Sequence, residues 1–498
     1  MLRQTTAIPA YLILLAAIFS VPKGIAAPLR QTSSGAPDDP CLPFTMPAAD
    51  DLFSSSKKVF AHYFYPFPLS VGNKTASDDY YNVNYLNKHG ESNKWSAQGG
   101  YLRQRPLPVG VGPGDKYQLL NMQREVRMAV ARGITGFTFD VLSANGDARL
   151  QMLLDAAQSV DPRFKILIMP DIAALKSNAE AVVGSITAAA RSRAAYRLGD
   201  GRLVVSAFNA SANSTDWWAG VIAQLKARGI EIAFVPTFLG WKAHAAAFAP
   251  LSYGLSDWGT ATAAVSDAAK GDAEAAHSQY GKIFMMPVDP QQYRPKDSIY
   301  WESGNSAAFR NAWRSSIEGG ADWVQLVTWS DFSESSEIEP YTDATLRADI
   351  GTGFYDLNAY FAAWFLMGKE PAITHDVLYY FYRREPTDAA APAQSAPNKI
   401  VSSSPEDDIE LLAFLSSPGE LKITIDGHAA TLSAPAGMTS FKVHTAPGTP
   451  VFTLSRGGSE VFSFPGPVQI FDRSGLPSGV IDMTYWSGSA SPHGICSL

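Results

Sequence analysis

Residues 117–171, YQLLNMQREVRMAVARGITGFTFDVLSANGDARLQMLLDAAQSVDPRFKILIMPD, decide the fold. Two stretches of helical period, Tyr117–Ala131 and Leu150–Ser159, alternate with two short runs rich in β-branched and aromatic residues, Gly136–Val141 and Lys165–Pro170. Such alternation implies a parallel sheet, because a strand can resume the direction of the one before it only through a crossover. The same pattern continues on both sides. Strand runs are expected at Val59–Tyr65, Leu203–Phe208, Glu231–Pro236, Leu251–Leu255, Lys282–Val288 and Trp323–Trp329. Helical stretches lie between them at Ala179–Ala190, Asp216–Ala227, Ala261–Ser278 and Ala307–Glu318, with a closing helix at Tyr355–Leu366. Eight such units describe an α/β chain folded as a (β/α)8 TIM barrel. A doubly wound open sheet is the competing arrangement.

Outside the barrel the composition changes. Met1-Leu2-Arg3, the apolar stretch Ala10–Phe19 and the small residues Gly24–Ala27 read as a secretory signal peptide over residues 1–27. Residues 28–54, rich in Ser, Pro, Ala and Asp, read as an extended leader, and the barrel domain is expected over 55–382. The largest insertion, Pro66–Asp115, carries Tyr80, Tyr81, Tyr85, Trp95 and Tyr101 and reads as a loop folded over a cleft. Pro386, Pro392 and Pro397 mark a linker at 383–399, and the short alternating runs beyond it read as a β-sandwich over 400–498. Cys41 and Cys496 are the two cysteines of the chain; in an oxidising compartment their pairing would tie the ends together. Sequons begin at Asn73, Asn209 and Asn213.

Composition removes several functions. The 498 residues are 46% hydrophobic and 17% charged, enough apolar material for a large core and too little charge for a disordered chain. Aromatics make up 11%, with 11 Trp and 20 Tyr, a surplus of the kind that often lines a sugar or other ligand cleft. With 40 basic against 47 acidic residues and no basic run longer than a pair such as Arg383–Arg384, nucleic acid is not the expected partner. No second apolar run suggests a membrane span, and the protein is expected to be a secreted monomer. The eight scattered histidines form no metal-ligand spacing, so neither a metal nor another cofactor is expected. Gly110–Lys116 has the wrong spacing for a phosphate loop, and Gly254-Leu255-Ser256-Asp257-Trp258 fails the nucleophile-elbow pattern at its last position.

The polar residues expected at the C-terminal ends of barrel strands, where such folds place their active sites, are mostly carboxylates. His62 lies late in the first strand, Asp140 ends the second, Asp171 follows the third, Asp257 and Trp258 follow the sixth, Asp289 ends the seventh, and Asp331 and Glu334 follow the eighth. Any one of them could be a helix cap or turn former. Recurring at one end of the barrel beside aromatic residues, they are the equipment of glycoside hydrolysis, in which one carboxyl protonates the leaving oxygen and another activates water or attacks carbon. Trp258, Tyr293, Tyr300, Trp301 and Trp329 are candidate sugar platforms, though each serves equally as core packing.

The stretch Trp329-Ser330-Asp331-Phe332-Ser333-Glu334-Ser335 resembles the Trp-Asn-Asp-Tyr-Gly-Glu-Ser motif of glycoside hydrolase family 71, the endo-α-1,3-glucanases or mutanases. Val59–His62, Gly133–Asp140 and Asp376–Arg383 are similar to family segments in the same order, so the resemblance covers roughly residues 56–470. It implies an inverting, metal-independent attack on α-1,3-linked glucan, with Asp331 and Glu334 as the catalytic pair and Asp140 as a further acid. Glu334 would be the general acid and Asp331 the base for the attacking water. Ser330 and Ser333 depart from the motif, and Tyr63–Pro66 leans towards the related family 99-like barrels that act on α-mannosides. Hydrolysis of another α-glycoside and a catalytically silent polysaccharide-binding barrel are the alternatives.

Overall fold

The computed structural model describes residues 39–64, 74–75, 77–78, 81–107, 111–112, 114–143, 148–259, 261–343 and 350–497. The signal peptide, residues 28–38 of the leader, Tyr65, the Asn73 sequon and Tyr80 lie outside the described residues.

Eight parallel strands close a barrel: β1 (Lys58–Tyr63), β2 (Gly136–Val141), β3 (Lys165–Pro170), β4 (Leu203–Ala207), β5 (Ile232–Phe238), β6 (Gly254–Asp257), β7 (Ile283–Val288) and β8 (Trp323–Leu326). Each pairs with its neighbour in sequence, and β8 pairs with β1 through Lys58 opposite Trp323 and Ala61 opposite Leu326. Covered on both faces, these strands are apolar almost throughout, and their interior is filled by Phe60, Leu167, Val204, Val235, Met285 and Trp323. The crossover helices include α1 (Tyr117–Ala131), α2 (Ala148–Val160), α3 (Ala179–Ala189), α4 (Thr215–Ala227), α5 (Asp272–Tyr280) and α6 (Ala307–Glu318), and α7 (Gly353–Met367) follows β8. Asn178 and Ser214 cap α3 and α4, each accepting a backbone N–H from the first turn.

Several boundaries differ from the sequence reading. β6 starts at Gly254, because Ala249–Leu251, containing Pro250, forms a tight 3-10 turn; Asp257 becomes the strand's last residue. β8 ends at Leu326, and the chain then bends so that Trp329 turns into the core. Residues 39–54 are not a loose leader. Leu42, Phe44 and Leu52 are buried, Ala49–Ser54 is helical, and Cys41 is disulfide-bonded to Cys496 with their Cα atoms 5.6 Å apart.

Val377–Tyr382, expected at the end of the barrel domain, pairs instead with Asp408–Leu415 on one side and Trp486–Ser491 on the other, both antiparallel. The barrel ring is already closed and leaves no edge for it. It is the middle strand of a five-stranded sheet that packs on a four-stranded one (Gly419–Ile425, His428–Ala434, Val451–Arg456, Ser459–Pro465). Leu378, Tyr380, Ile409, Leu411, Ile423 and Phe452 fill the space between, completing the C-terminal sandwich.

Residues 383–399 are packed rather than free. The Arg383 guanidinium is buried against Glu302 at 2.8 Å and lies 3.9 Å from the Tyr485 ring centroid, and Lys399–Ile400 pairs with Ile299–Tyr300.

Candidate active site

The segment after β8 folds back on itself. Thr328 N–H donates to Ser336 O (2.7 Å), Ile338 N–H to Thr328 O (3.1 Å), and Trp329 N–H to His62 O at the end of β1 (2.7 Å). Asp331 is thereby held over the barrel mouth. Its N–H donates to Thr328 Oγ1, and its Oδ1 accepts from Ser333 N (2.9 Å), Ser333 Oγ (2.7 Å) and Glu334 N (3.2 Å). Burial, reinforced by the charge of Glu334, pushes the Asp331 carboxyl up to about 6.

Glu334 is paired at both oxygens. Gln292 Nε2 donates to Oε2 at 2.6 Å, and the Arg294 guanidinium forms an ion pair with Oε1. Both donors come from the short strand Gln292–Arg294 after β7, which forms a hairpin with Ile299–Trp301. Neither stood out in the sequence. The signal was the two-residue period of an extended segment: Gln292 and Arg294 share one face, and Tyr293 takes the other.

Across the mouth, His62 and Asp140 are both buried, with His62 Nε2 3.7 Å from Asp140 Oδ2. His62 Nδ1 and Asp140 Oδ1 have no hydrogen-bond partner among the described residues. Trp258 packs edge-on against His62, with centroids 4.8 Å apart, and against Phe208 at 4.7 Å. Asp171 is half-buried and caps the turn after β3 by accepting Ala174 N–H; its carboxyl is raised by burial and by the charge of Asp140. Asp289 is buried, and its carboxyl is pushed well up by desolvation, with the charges of Asp257 and Glu334 adding to the effect. Asp257 spends Oδ1 on the backbone N–H groups of Gly240, Trp241 and Trp258 at 2.8–3.3 Å, and burial raises it. It shapes the loop after β5 from its place at the end of β6.

The aromatic candidates divide. Trp329, Tyr293 and Tyr300 are fully buried and offer no ring face to a ligand. Trp329 packs on Phe137 (5.2 Å), while Tyr293 and Tyr300 join Leu476, Ile481 and Met483 in a separate core. These three readings as platforms are corrected to packing. Distance along the chain from a strand fixes where each ring sits, whereas its direction is set by distant partners. Trp301 is half-buried, and the Arg294 guanidinium carbon stands 5.6 Å from its ring centroid. The insertion contributes more than the platforms. Tyr85, Trp95 and Tyr101 cluster at 5.0–5.2 Å, Tyr101 faces Asp331 and Ser333, and Lys296 Nζ lies 5.9 Å from the Tyr101 ring centroid. The strand Gln104–Pro106 pins this insertion to Tyr341–Asp343 by antiparallel pairing.

Beneath the site lie carboxyls that the sequence reading passed over. Glu125, Glu337 and Glu339 are buried, and burial raises each of them, Glu125 to about 8. Glu125 sits beside the Tyr63 hydroxyl and the Trp329 indole. Its position was readable, since Met122, Val126 and Ala129 form the apolar stripe of α1 and Glu125 falls within it. Among the described residues no group of His, Cys, Asp and Glu is arranged to hold a metal ion.

A closed parallel barrel whose strand ends carry paired buried carboxyls, with an orienting guanidinium and aromatic neighbours, defines a carboxylate-based glycoside hydrolase. The model of glycosyl hydrolase family 71 matches residues 110–497. The chain belongs to that family. Over 380 residues it is 28% identical to a Schizosaccharomyces pombe protein named glucan endo-1,3-alpha-glucosidase agn1, covering 72% of this chain and 88% of that one. A Penicillium rubens protein named mutanase is 24% identical over 216 residues, 40% of this chain and 47% of its own. Among solved structures, a family 99 endo-alpha-mannosidase from Bacteroides thetaiotaomicron aligns with a TM-score of 0.47 at 14% identity, covering 62% of this chain and 97% of that one.

Proposed function

We propose that the protein is a secreted endo-acting hydrolase of α-1,3-linked glucan that works by single displacement with inversion. The observation that carries this reading is the pair Asp331 and Glu334, three residues apart on one compact loop at the C-terminal end of the barrel, facing His62 and Asp140. The relatives named as endo-1,3-α-glucanase and mutanase supply the linkage. A disulfide joining the two ends of the described chain suits an oxidising, extracellular setting.

In this mechanism Glu334 protonates the leaving glycosidic oxygen while Asp331 takes a proton from the water that attacks the opposite face of the sugar. Asp140 and His62, with their partnerless atoms, position that water or a sugar hydroxyl. A second reading exchanges the two roles, and one observation favours it. Both Glu334 oxygens accept from donors, one of them the Arg294 guanidinium, while Asp331 is the carboxyl raised to about 6.

The test is incubation with insoluble α-1,3-glucan beside β-1,3-glucan, dextran and α-mannan, following reducing ends and the anomer first released by NMR. Release of β-anomers from α-1,3-glucan, lost in Glu334→Gln, is expected. Release only from mannan, or α-anomers first, overturns the reading. The roles separate with α-glucosyl fluoride, whose leaving group needs no acid: the variant lacking the acid retains turnover and the variant lacking the base does not. The pH profile separates them again. With Asp331 as base the rate falls below about pH 6, and with Asp331 as acid it falls above about pH 6.

A further inference from the structure

Beside the catalytic loop, a cavity of about 410 Å³ opens between the segments following β5, β6 and β7. Its walls include the Trp241 indole, Met286, Pro287 and alanines of the flanking helices, and the carboxyls of Asp257 and Asp289 line it. Nothing in the mechanism above uses it. Asp289 is the informative residue. Its side chain is more than nine-tenths buried, burial and neighbouring charges rather than any hydrogen bond set its raised carboxyl, and it belongs to the cavity wall. Gly259 makes this placement possible. Its φ is +82°, and a Cβ there would stand 2.7 Å from Asp289 Oδ2 and 2.9 Å from Pro287.

We propose that this cavity is a glycosyl subsite, holding one glucosyl residue of the same chain whose scissile bond lies at Asp331 and Glu334, with Asp289 donating a hydrogen bond to a sugar hydroxyl. The inference rests on the function proposed above and adds where a further sugar of that substrate sits. The size is in the range of small-molecule sites, and the lining matches a pyranose, which presents an apolar face together with hydroxyls. Asp289 sits close enough to Glu334 for their charges to repel, which puts the subsite within reach of the same chain. Burial raises the Asp289 carboxyl and so favours the protonated form, which can donate, while Asp257, with Oδ1 committed to three backbone N–H groups, keeps Oδ2 as an acceptor. Together they offer one donor and one acceptor to neighbouring hydroxyls. Lys242 closes the rim, its charge met by Asp272 at 2.8 Å, so among the described residues the cavity carries no free cation that would call for an anionic ligand.

The test measures KM and kcat on a series of α-1,3-gluco-oligosaccharides shortened one unit at a time, for the wild type, Asp289→Asn, Asp289→Ala and Val265→Trp. Val265 lines the cavity from its solvent side and is 49% exposed, so a tryptophan there obstructs the cavity without entering the core. In the wild type KM steps up about tenfold when the chain becomes too short to reach the cavity. Asp289→Ala and Val265→Trp are expected to raise KM about tenfold on long chains, and Val265→Trp to change it less than twofold on short ones and to keep kcat within about threefold. Asp289→Asn, which keeps a donor in place of the protonated carboxyl, restores the long-chain KM. Wild-type activity with KM unchanged in Asp289→Ala and Val265→Trp at every length removes the subsite and leaves the proposed function standing. A collapse of kcat in Asp289→Asn makes Asp289 a reacting carboxylate and overturns the subsite reading. Wild-type inactivity on every α-1,3-glucan, with the fold confirmed by circular dichroism, sinks both.

Discussion

Replacing Asp331 by Asn should make the protein more stable while removing its activity. Burial and the neighbouring Glu334 lift the Asp331 carboxyl from its ordinary 3.8 to about 6 in the folded protein. Its pKa is therefore higher folded than unfolded, and above 3.8 the unfolded chain releases the proton first. The folded state loses stability as pH rises from 3.8 to about 6, and the loss is complete above that. At roughly 1.4 kcal/mol per tenfold, the penalty at neutral pH is about 3 kcal/mol. Asn has the same shape and keeps Oδ1 as the acceptor for Ser333 N, Ser333 Oγ and Glu334 N, so the loop retains its hydrogen bonds. Equilibrium denaturation of wild type and Asp331→Asn at pH 7.5 and pH 4 measures this. The variant should be more stable by about 3 kcal/mol at the higher pH, and the two should converge at the lower. An advantage that does not shrink on acidification, or a variant less stable than wild type at pH 7.5, would refute the electrostatic account of this site.

Other perturbations probe the parts around it. Arg383→Leu leaves the Glu302 carboxylate buried without its cation and should cost about 3–5 kcal/mol in denaturant titration; a loss under 1 kcal/mol would show that Tyr300 and Tyr485 alone satisfy Glu302. Cys41→Ser opens a link spanning 455 residues, and should lower stability by about 2–5 kcal/mol, matched by adding a reductant to wild type. Glu125→Gln removes a carboxyl whose pKa rises from 4.5 to about 8 on folding, so the decline of wild-type stability between those pH values should become shallower in the variant. Trp329→Ala should act as a core truncation, costing about 3–5 kcal/mol and showing in thermal melts; an effect on KM alone, without loss of stability, would return Trp329 to the cleft.

The barrel was legible because its strands are buried on both faces and so appear as short continuous apolar runs with helical spacing between them. His62, Asp140 and Asp289 were legible for a related reason, since a polar residue at the end of such a run is placed towards the mouth, whereas Asp331 and Glu334, beyond the end of β8, were legible through the resemblance of their segment to the family motif. What the runs do not encode is direction once the chain leaves the strand. Trp329, three residues beyond β8, points inward because its N–H is claimed by His62 O, a partner from the first strand. Tyr293 is buried because Gln292 and Arg294 on either side of it face Glu334. The Pro-rich stretch after Val377–Tyr382 reads as the domain boundary, but the two partners of that strand come from later in the chain.

The segments carrying the two halves of the site are fastened to the same stretch of the C-terminal sandwich. Tyr341, at the end of the catalytic loop, donates from its hydroxyl to Tyr485 O at 3.3 Å and accepts from Ser487 N at 3.1 Å. Gln291, beside the Glu334 partner Gln292, accepts Tyr485 N–H at 2.8 Å, and the Tyr485 hydroxyl donates to Glu302 at 2.7 Å. Thus residues 485–487 fix the spacing between the loop that bears Asp331 and Glu334 and the strand that bears Gln292 and Arg294. An ion pair such as Arg294 with Glu334 depends steeply on that spacing, because displacing a charged hydrogen bond by an ångström removes most of its geometry. In the mechanism proposed above, the sandwich would bear on the reaction through the position of Glu334, without needing to touch a sugar, and the disulfide between Cys41 and Cys496 ties its last strands to the first described residues.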